Sequence, residues 1–189
     1  SQAVLLNASS EQINSGAADL SLSGGITVSS GTLASSGGTV SSSSLTGSGA
    51  GILNFQGGTL SLPNGASLAS GATFTTSATT IELGGNLDVS NLPTSSNTNL
   101  SLTADAQLSS TAAVEAATLE TNGNDFELSS GTTDLTLANA FTLSSGTLST
   151  KGGDLIFKGR ADISSGATLE SVLPTSWVFC ANENGTCSF

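Results

Sequence analysis

Short alternating segments, in which a polar residue stands between two apolar ones, recur along almost the whole chain. Clear examples are the segments 20–22, 26–28, 60–62, 81–83, 87–89, 99–102 and 134–137. Strict alternation predicts a strand with one buried face, and the helical spacing i, i+3, i+4, i+7 is nowhere sustained. Groups of Gly, Asn and Ser, which favour turns, separate the segments. The chain is therefore predicted to be all-β.

A repeated turn phrase accompanies these segments. Ser-Ser-Gly-Thr or a close variant occurs at residues 29–33, 70–74, 129–133, 144–148 and 164–169. The spacing from Phe126 to Phe141 is 15 residues, whereas Phe141 to Ala161 and Gly38 to Gly58 are each 20 residues apart. A loose period near twenty is typical of coils that stack on one another.

The strands are short, and the turns between them lack a consistent Asn-Gly or Asp-Gly hairpin signal. This pattern favours a parallel β-helix (β-solenoid) with coils of about 20 residues. An immunoglobulin-like or jelly-roll sandwich is the alternative fold, although it normally has longer strands. The alanine-rich stretch 103–120 is interpreted as a further coil, with Leu108, Val114 and Leu119 facing inward.

The composition raises disorder as a second alternative, because the chain contains 60 Ser and Thr and 23 Gly among its 189 residues. Disordered chains usually combine low hydrophobicity with high charge. Here only 9% of the residues are charged, and the apolar residues alternate regularly. A folded chain is therefore favoured.

The formal net charge is −11, and the three cations are Lys151, Lys158 and Arg160, with Asp154 and Asp162 between and beside them. A phosphate backbone requires clustered Lys and Arg, so nucleic acid is not expected as a partner. No apolar run approaches the roughly 20 residues that cross a bilayer, so no membrane insertion is expected. Because the chain opens at Ser1 with small polar residues, we expect a secreted form whose leader has been removed.

The two cysteines, Cys180 and Cys187, enclose a turn-rich hexapeptide that would bring their sulfurs together. A disulfide implies an oxidising compartment, and two free thiols are the alternative. The composition also shifts near Ser171. We therefore predict a solenoid over residues 1–170 and a small C-terminal cap or docking segment, closed by the disulfide, over 171–189.

Apolar residues at the two ends are candidates for docking between subunits, because a solenoid end exposes core side chains and unpaired backbone. They are Val4, Leu5 and Leu6 at one end and Trp177, Val178, Phe179 and Phe189 at the other.

Catalytic chemistry has little support in this sequence. The absence of His removes the commonest general base. Paired carboxylates alone can hydrolyse glycosides, and the candidates for this role are the pairs Asp125 with Glu127 and Glu82 with Asp88. A solvated polar face explains both pairs better, so no enzyme activity and no catalytic residue are predicted.

Neither a metal nor a cofactor is predicted. Residues 84–88 are only a fragment of the calcium-binding repeat of β-rolls. Ice binding requires a regular threonine array, and it is not favoured here because the densest threonine run of the chain is irregular. Its members are Thr73, Thr75, Thr76, Thr79 and Thr80.

The segments GGTLSLPNGASLASGATF (57–74) and FTLSSGTLSTKGGDLIFKGRADISSGATLES (141–171) resemble the repeats of filamentous-haemagglutinin-like proteins and autotransporter passengers of Gram-negative bacteria. The resemblance covers roughly residues 17–170. It implies a right-handed parallel β-helix and a surface or secreted role, and it transfers no specific ligand.

The function expected from these observations is a structural subunit of an extracellular bacterial fibre or surface appendage, which self-assembles head-to-tail into a homopolymer. The alternatives are a monomeric cell-surface adhesin stalk and, third, a β-helix that binds or cleaves polysaccharide. A host-cell or surface polysaccharide is the external partner considered.

Overall fold

The computed structural model describes residues 3–77, 79–89, 97–129, 134–151, 153–171 and 177–179. These residues form 25 strands of three to five residues and no helix. The strands are β1 (Val4–Leu6), β2 (Gln12–Asn14), β3 (Leu20–Leu22), β4 (Ile26–Val28), β5 (Thr32–Ser35), β6 (Thr39–Ser42), β7 (Leu45–Gly47), β8 (Ile52–Gln56), β9 (Thr59–Leu62), β10 (Ala66–Leu68), β11 (Thr73–Ser77), β12 (Thr80–Leu83), β13 (Asn86–Val89), β14 (Asn99–Leu102), β15 (Ala106–Ser110), β16 (Val114–Ala116), β17 (Thr118–Glu120), β18 (Phe126–Leu128), β19 (Leu135–Leu137), β20 (Phe141–Leu143), β21 (Gly146–Thr150), β22 (Leu155–Phe157), β23 (Ala161–Ile163), β24 (Ala167–Ser171) and β25 (Trp177–Phe179).

The strands pair into four parallel sheets. Sheet A has the order β1-β4-β7-β10-β13-β15-β18-β21-β24, and sheet C has the order β3-β6-β9-β12-β14-β17-β20-β23. Sheet B (β2-β5-β8-β11) and sheet D (β16-β19-β22-β25) lie between them in chain order, sheet B in the first coils and sheet D in the later ones. All strand pairs found in the described residues are parallel.

A coil therefore passes from sheet A to sheet B or D, then to sheet C, and returns to sheet A one level further along; in the coil of β13 and β14 the described residues include only the sheet A and sheet C strands. The paired positions Leu33 and Leu53 are 20 residues apart, and Phe141 and Ala161 are also 20 apart. The chain thus forms a β-solenoid of about eight turns with coils of about 20 residues. This confirms the predicted solenoid, and the parallel pairing is incompatible with an antiparallel sandwich.

The core is a set of apolar ladders inside the coils. One ladder on sheet C places Val40, Leu60, Ile81, Leu100 and Leu119 on successive coils, each at most 2% exposed. Full burial of an aliphatic side chain contributes about 1.5–3 kcal/mol to the free energy of folding. Because each ladder side chain is buried by the coils directly below and above it, each coil is stabilised mainly by its neighbours. The alternation read from the sequence is confirmed, because the polar residue of each triplet faces outward.

The alanine-rich stretch 103–120 is a coil, as predicted. Leu108, Val114 and Leu119 lie on sheets A, D and C, and each is at most 2% exposed. The 15-residue spacing between Phe126 and Phe141, in contrast, is a step within one coil, because β18 belongs to sheet A and β20 to sheet C.

Buried hydroxyl groups tie neighbouring coils together near the end of sheet B. The Thr79 hydroxyl donates to the Phe55 carbonyl oxygen at 3.0 Å, and the Oγ1 atoms of Thr76 and Thr98 are 2.9 Å apart. These bonds satisfy polar groups that would otherwise be costly to bury.

The predicted cap is represented by one described element, the backbone of β25, which pairs with β22 and so extends sheet D. Cys180, Cys187 and Phe189 lie outside the described residues, so the disulfide remains a prediction.

Candidate functional site

A concave surface lies on the outer face of sheet A, across five successive coils. Its central ladder, defined by strand register, consists of Asn86, Gln107, Glu127, Ser149 and Glu170. Asp105, Asp125, Thr147 and Lys151 line its sides, and the cavity has a volume of about 630 Å³. This surface is called the sheet A groove below.

Glu127 is the most constrained acidic side chain of the groove. Its Oε2 lies 2.7 Å from the Lys151 ammonium, and its Oε1 accepts a hydrogen bond from the Gln107 amide. The hydrogen bond from Lys151 is the main reason that the pKa of Glu127 lies below its usual value. Glu127 is therefore ionised at neutral pH.

The aspartates beside the ladder are bound to backbone. Oδ1 of Asp105 accepts the amide of Asp125 at 2.9 Å, and Oδ1 of Asp125 accepts the amide of Thr147 at 2.7 Å. Asp134 makes the same contact with the amide of Asp154 at 2.8 Å, on sheet D. Each carboxylate thus joins its own coil to the next one.

Ser149 lies at the floor of the groove between Glu127 and Glu170, which occupy the same ladder position one coil below and one coil above. The residue is only 9% exposed. Among the described residues, the buried side-chain oxygens without a hydrogen-bond partner are Ser15 Oγ and Thr150 Oγ1, and the Ser149 hydroxyl is not one of them.

The two candidate carboxylate pairs of the sequence are arranged differently in the structure. Asp125 and Glu127 do lie together on the outer face, where backbone and Lys151 occupy them. Glu82 and Asp88 do not form a pair, because Glu82 lies on sheet C and Asp88 on sheet A. An ionised Glu127 does not supply the proton that glycoside hydrolysis requires from its acid.

The three cations are each in an ion pair rather than in a basic patch. Besides Lys151, the Lys158 ammonium lies 3.0 Å from a carboxylate oxygen of Glu115, and Arg160 Nε lies 2.7 Å from one of Asp162. Among the described residues no three His, Cys, Asp or Glu converge as metal ligands would. The described residues include no helix long and apolar enough to cross a membrane.

The threonine run does not form one surface. Thr73 and Thr75 face outward from sheet B, whereas Thr76 and Thr79 are buried. The fifth member, Thr80, lies on sheet C, where register stacks it on Thr59 and Thr39 in an outer ladder that the sequence pattern did not reveal.

The predicted N-terminal docking residues form the first strand of sheet A. Leu6 is buried and Val4 is half-buried, whereas Leu5 faces outward and is 54% exposed. Trp177, Val178 and Phe179 form β25 at the other end.

Both ends of the solenoid have open backbone edges in the described residues. At the first coil, β1, β2 and β3 each pair with a strand on one side only, and β23, β24 and β25 do so at the last coil. The apolar residues of the first coil that are half-buried against the core are Val4, Ile13, Leu20 and Leu22. At the opposite end Ile163 is 41% exposed.

Comparison with known proteins adds no relative: no protein-family model, no curated protein and no solved structure matches this chain. The class defined by the structure is that of a parallel β-solenoid.

Proposed function

We propose that the protein is a non-enzymatic structural subunit of an extracellular bacterial fibre or surface appendage, and that it assembles head-to-tail. The observation that supports the proposal is the first described coil, whose strands β1, β2 and β3 each pair on one side only among the described residues and whose four apolar side chains are half-buried against the core. A second copy, docking its last coil on this one, would continue the sheets across the junction.

The second coil indicates how much such a junction would bury. Ile26, Leu33 and Val40 are the ladder partners of the apolar residues on the first coil, and each is at most 2% exposed. Burying the remaining half of a comparable side chain contributes about 1 kcal/mol. Four such residues and three new backbone ladders would act together in one contact.

The finer features of the proposal rest on general rules and on the resemblance stated above. A right-handed coil is proposed because connections between parallel strands are almost always right-handed. A secreted location and a filamentous-haemagglutinin-like or autotransporter-like origin are proposed from the repeat segments. No cofactor is required.

The proposed cap would be closed by a Cys180–Cys187 disulfide, directly after β25. Alkylation of the native protein with and without reduction, followed by peptide mass spectrometry, tests the bond. Two additional labels after reduction only would support the disulfide, whereas labelling of both cysteines without reductant would contradict it.

Electron microscopy and sedimentation over a concentration series test the assembly. The wild-type chain is expected to form filaments with a regular axial repeat, and Leu20→Lys, which places a charge on the end of the first coil, is expected to give short rods. Leu5→Lys is the matched control, because it adds the same charge to the outward face of the same coil.

Discrete rods of the wild-type chain at every concentration would contradict the fibre and favour the monomeric adhesin stalk. Equal loss of filaments in both variants would place the contact on the side of the solenoid instead of its end. A circular dichroism melt of each variant separates loss of assembly from loss of folding.

A further inference from the structure

Sheet C has one strand fewer than sheet A among the described residues. Sheet A has nine strands and sheet C has eight, because β24 and β25 begin a ninth coil that has no described sheet C strand. At this edge of sheet C lies β23, which pairs only with β20 in the described part of the chain. Ile163 of β23 is 41% exposed, whereas Leu143, its ladder partner on the preceding coil, is fully buried. The edge of β23 therefore offers backbone and apolar surface to a further strand.

The hydrogen bonds of β23 show which backbone groups face this edge. The amide of Ser164, directly after β23, donates to the Leu143 carbonyl oxygen of β20. Successive residues of a strand direct their N–H and C=O groups to opposite sides, so the groups of Ala161 and Ile163 point away from β20. A parallel strand on this edge would pair with them.

Residues 187–189 have the pattern of the missing strand. Cys187-Ser188-Phe189 places a polar residue between two apolar ones, as the sheet C triplet Leu20–Leu22 does. The segment also has the right place in chain order. It follows β25 of sheet D, and wherever both strands of a coil are described, the strand of sheet B or D is followed by one of sheet C. In register with β23, Phe189 would stack on Ile163 and cover it.

The proposed disulfide explains how the residues between β25 and this strand are accommodated. Ladder register aligns Cys180, directly after β25, with Ala117, directly after β16. It aligns Cys187 with Leu119, two residues further along, and both Ala117 and Leu119 are buried. Two residues of extended chain span about 6.6 Å, within the Cα separation of about 4.4–6.8 Å that a disulfide requires. The bond can therefore turn the corner, with residues 181–186 looping outside the coil.

We propose that Cys187-Ser188-Phe189 is the sheet C strand of the ninth coil, that it pairs in parallel with β23 of its own chain, and that the Cys180–Cys187 disulfide replaces the corner before it. The Ser188 amide then donates to the Ala161 carbonyl oxygen, and the Ser188 carbonyl oxygen accepts the Ile163 amide. The completed coil has three strands, which meet β1, β2 and β3 of a second copy. This docking role rests on the proposed head-to-tail assembly, whereas the strand itself does not.

Amide hydrogen exchange, followed by NMR on the full oxidised chain, tests the strand. The background is Leu20→Lys, which is expected to give short rods, so that a second copy does not cover the edge. Ser188→Pro removes the amide that donates to Ala161 and keeps both cysteines, and Ser188→Ala keeps that amide and is the matched control. The amide of Ser164, which bonds to β20, is the internal control for folding.

The amides of Ala161 and Ile163 are expected to exchange about tenfold more slowly in the background chain and in Ser188→Ala than in Ser188→Pro. Exchange at Ser164 should be the same in all three.

Rapid exchange of Ala161 and Ile163 in the Leu20→Lys background would overturn the proposal. So would slow exchange that persists in Ser188→Pro, since another segment then covers the edge. Slow exchange in wild-type filaments alone would also overturn it, because a second copy then covers β23. Filaments with an unprotected β23 would reject the strand and retain the fibre, whereas protected amides in a chain that forms no filaments would retain the strand and reject the assembly.

Discussion

Gly58 is a position at which one added methyl group should clearly disrupt the stacking of coils. It lies at the corner before β9, directly above Gly38 of the preceding coil, and its φ is +72°. A Cβ at this position would lie 2.0 Å from the Gly38 carbonyl oxygen. That same oxygen accepts the amide of Thr59 at 2.9 Å.

The expected cost of Gly58→Ala has two sources. A positive φ costs a residue with a side chain about 1 kcal/mol. The Cβ also forces the two coils apart by about 1 Å, which weakens the Thr59 hydrogen bond and the packing around it, at about 1–2 kcal/mol more. The free energy of unfolding should fall by about 2–3 kcal/mol in total.

Two matched variants separate these sources, and urea denaturation followed by circular dichroism measures all three. Gly16→Ala has a positive φ of 59° but no atom within 4 Å of the new Cβ, so it should lose about 1 kcal/mol. Gly166→Ala has neither feature and should be neutral or slightly stabilising. If Gly58→Ala loses no more than Gly16→Ala, the close approach of the two corners does not limit stability.

Two further predictions concern the acidic groove and the aromatic core. The folded-state pKa of Glu127 is lowered, so its ionised carboxylate stabilises the fold fully above the ordinary pKa of about 4.3, and this stabilisation is lost as the pH falls through the folded-state pKa. Glu127→Gln should therefore reduce the loss of unfolding free energy between neutral and acidic pH by up to about 1 kcal/mol. An unchanged dependence of stability on acidic pH would refute the ion pair with Lys151. Phe141 stacks on Phe157 with ring centroids 5.3 Å apart, and both rings are buried. Phe141→Ala should lower the free energy of unfolding by about 3–5 kcal/mol in urea denaturation, and Phe141→Leu should lower it much less. Equal losses in the two variants would contradict a stabilising role for the volume that the side chain fills.

The solenoid could be predicted because its signal is local. Alternation in a triplet such as Leu20-Ser21-Leu22 predicts which side chains face inward. The 20-residue spacing between the equivalent glycines Gly38 and Gly58 predicts the length of a coil. Neither requires knowledge of the register between distant strands. The strand segments inferred from alternation therefore appear in the structure with ends shifted by at most one residue.

The groove could not be predicted, because it depends on register. Asn86, Ser149 and Glu170 are far apart in sequence, and one-residue differences in coil length decide whether they align. Phe126 and Phe141 show the same limit, since identical residues before the same turn phrase fall on different sheets. Among the groove residues, the sequence places only Asp125 and Glu127 together on one outer face, because they are close in sequence.

Register also constrains where this chain places its charges. On sheet C one outer ladder runs through successive coils with carboxylates separated by hydroxyls, as Glu82, Ser101, Glu120, Thr142 and Asp162. Like charges directly opposite each other on adjacent strands are destabilising. The carboxylates of this ladder lie on every second coil, so nearly 10 Å separates them, which exceeds the screening length of about 8 Å at physiological salt.

In the described contacts, carboxylates of adjacent coils lie close together only where a backbone amide donates a hydrogen bond to one of them and so offsets the repulsion between their charges. Asp105 accepts the amide of Asp125, and Asp134 accepts that of Asp154, so each pair includes an amide directed at the lower carboxylate. Residues 20–81 avoid the problem altogether, since they contain no charged residue. A chain whose coils stack in register repeats the same outer position about every 4.8 Å, so like charges at that position repel one another, and the low charged fraction of 9% agrees with that geometry.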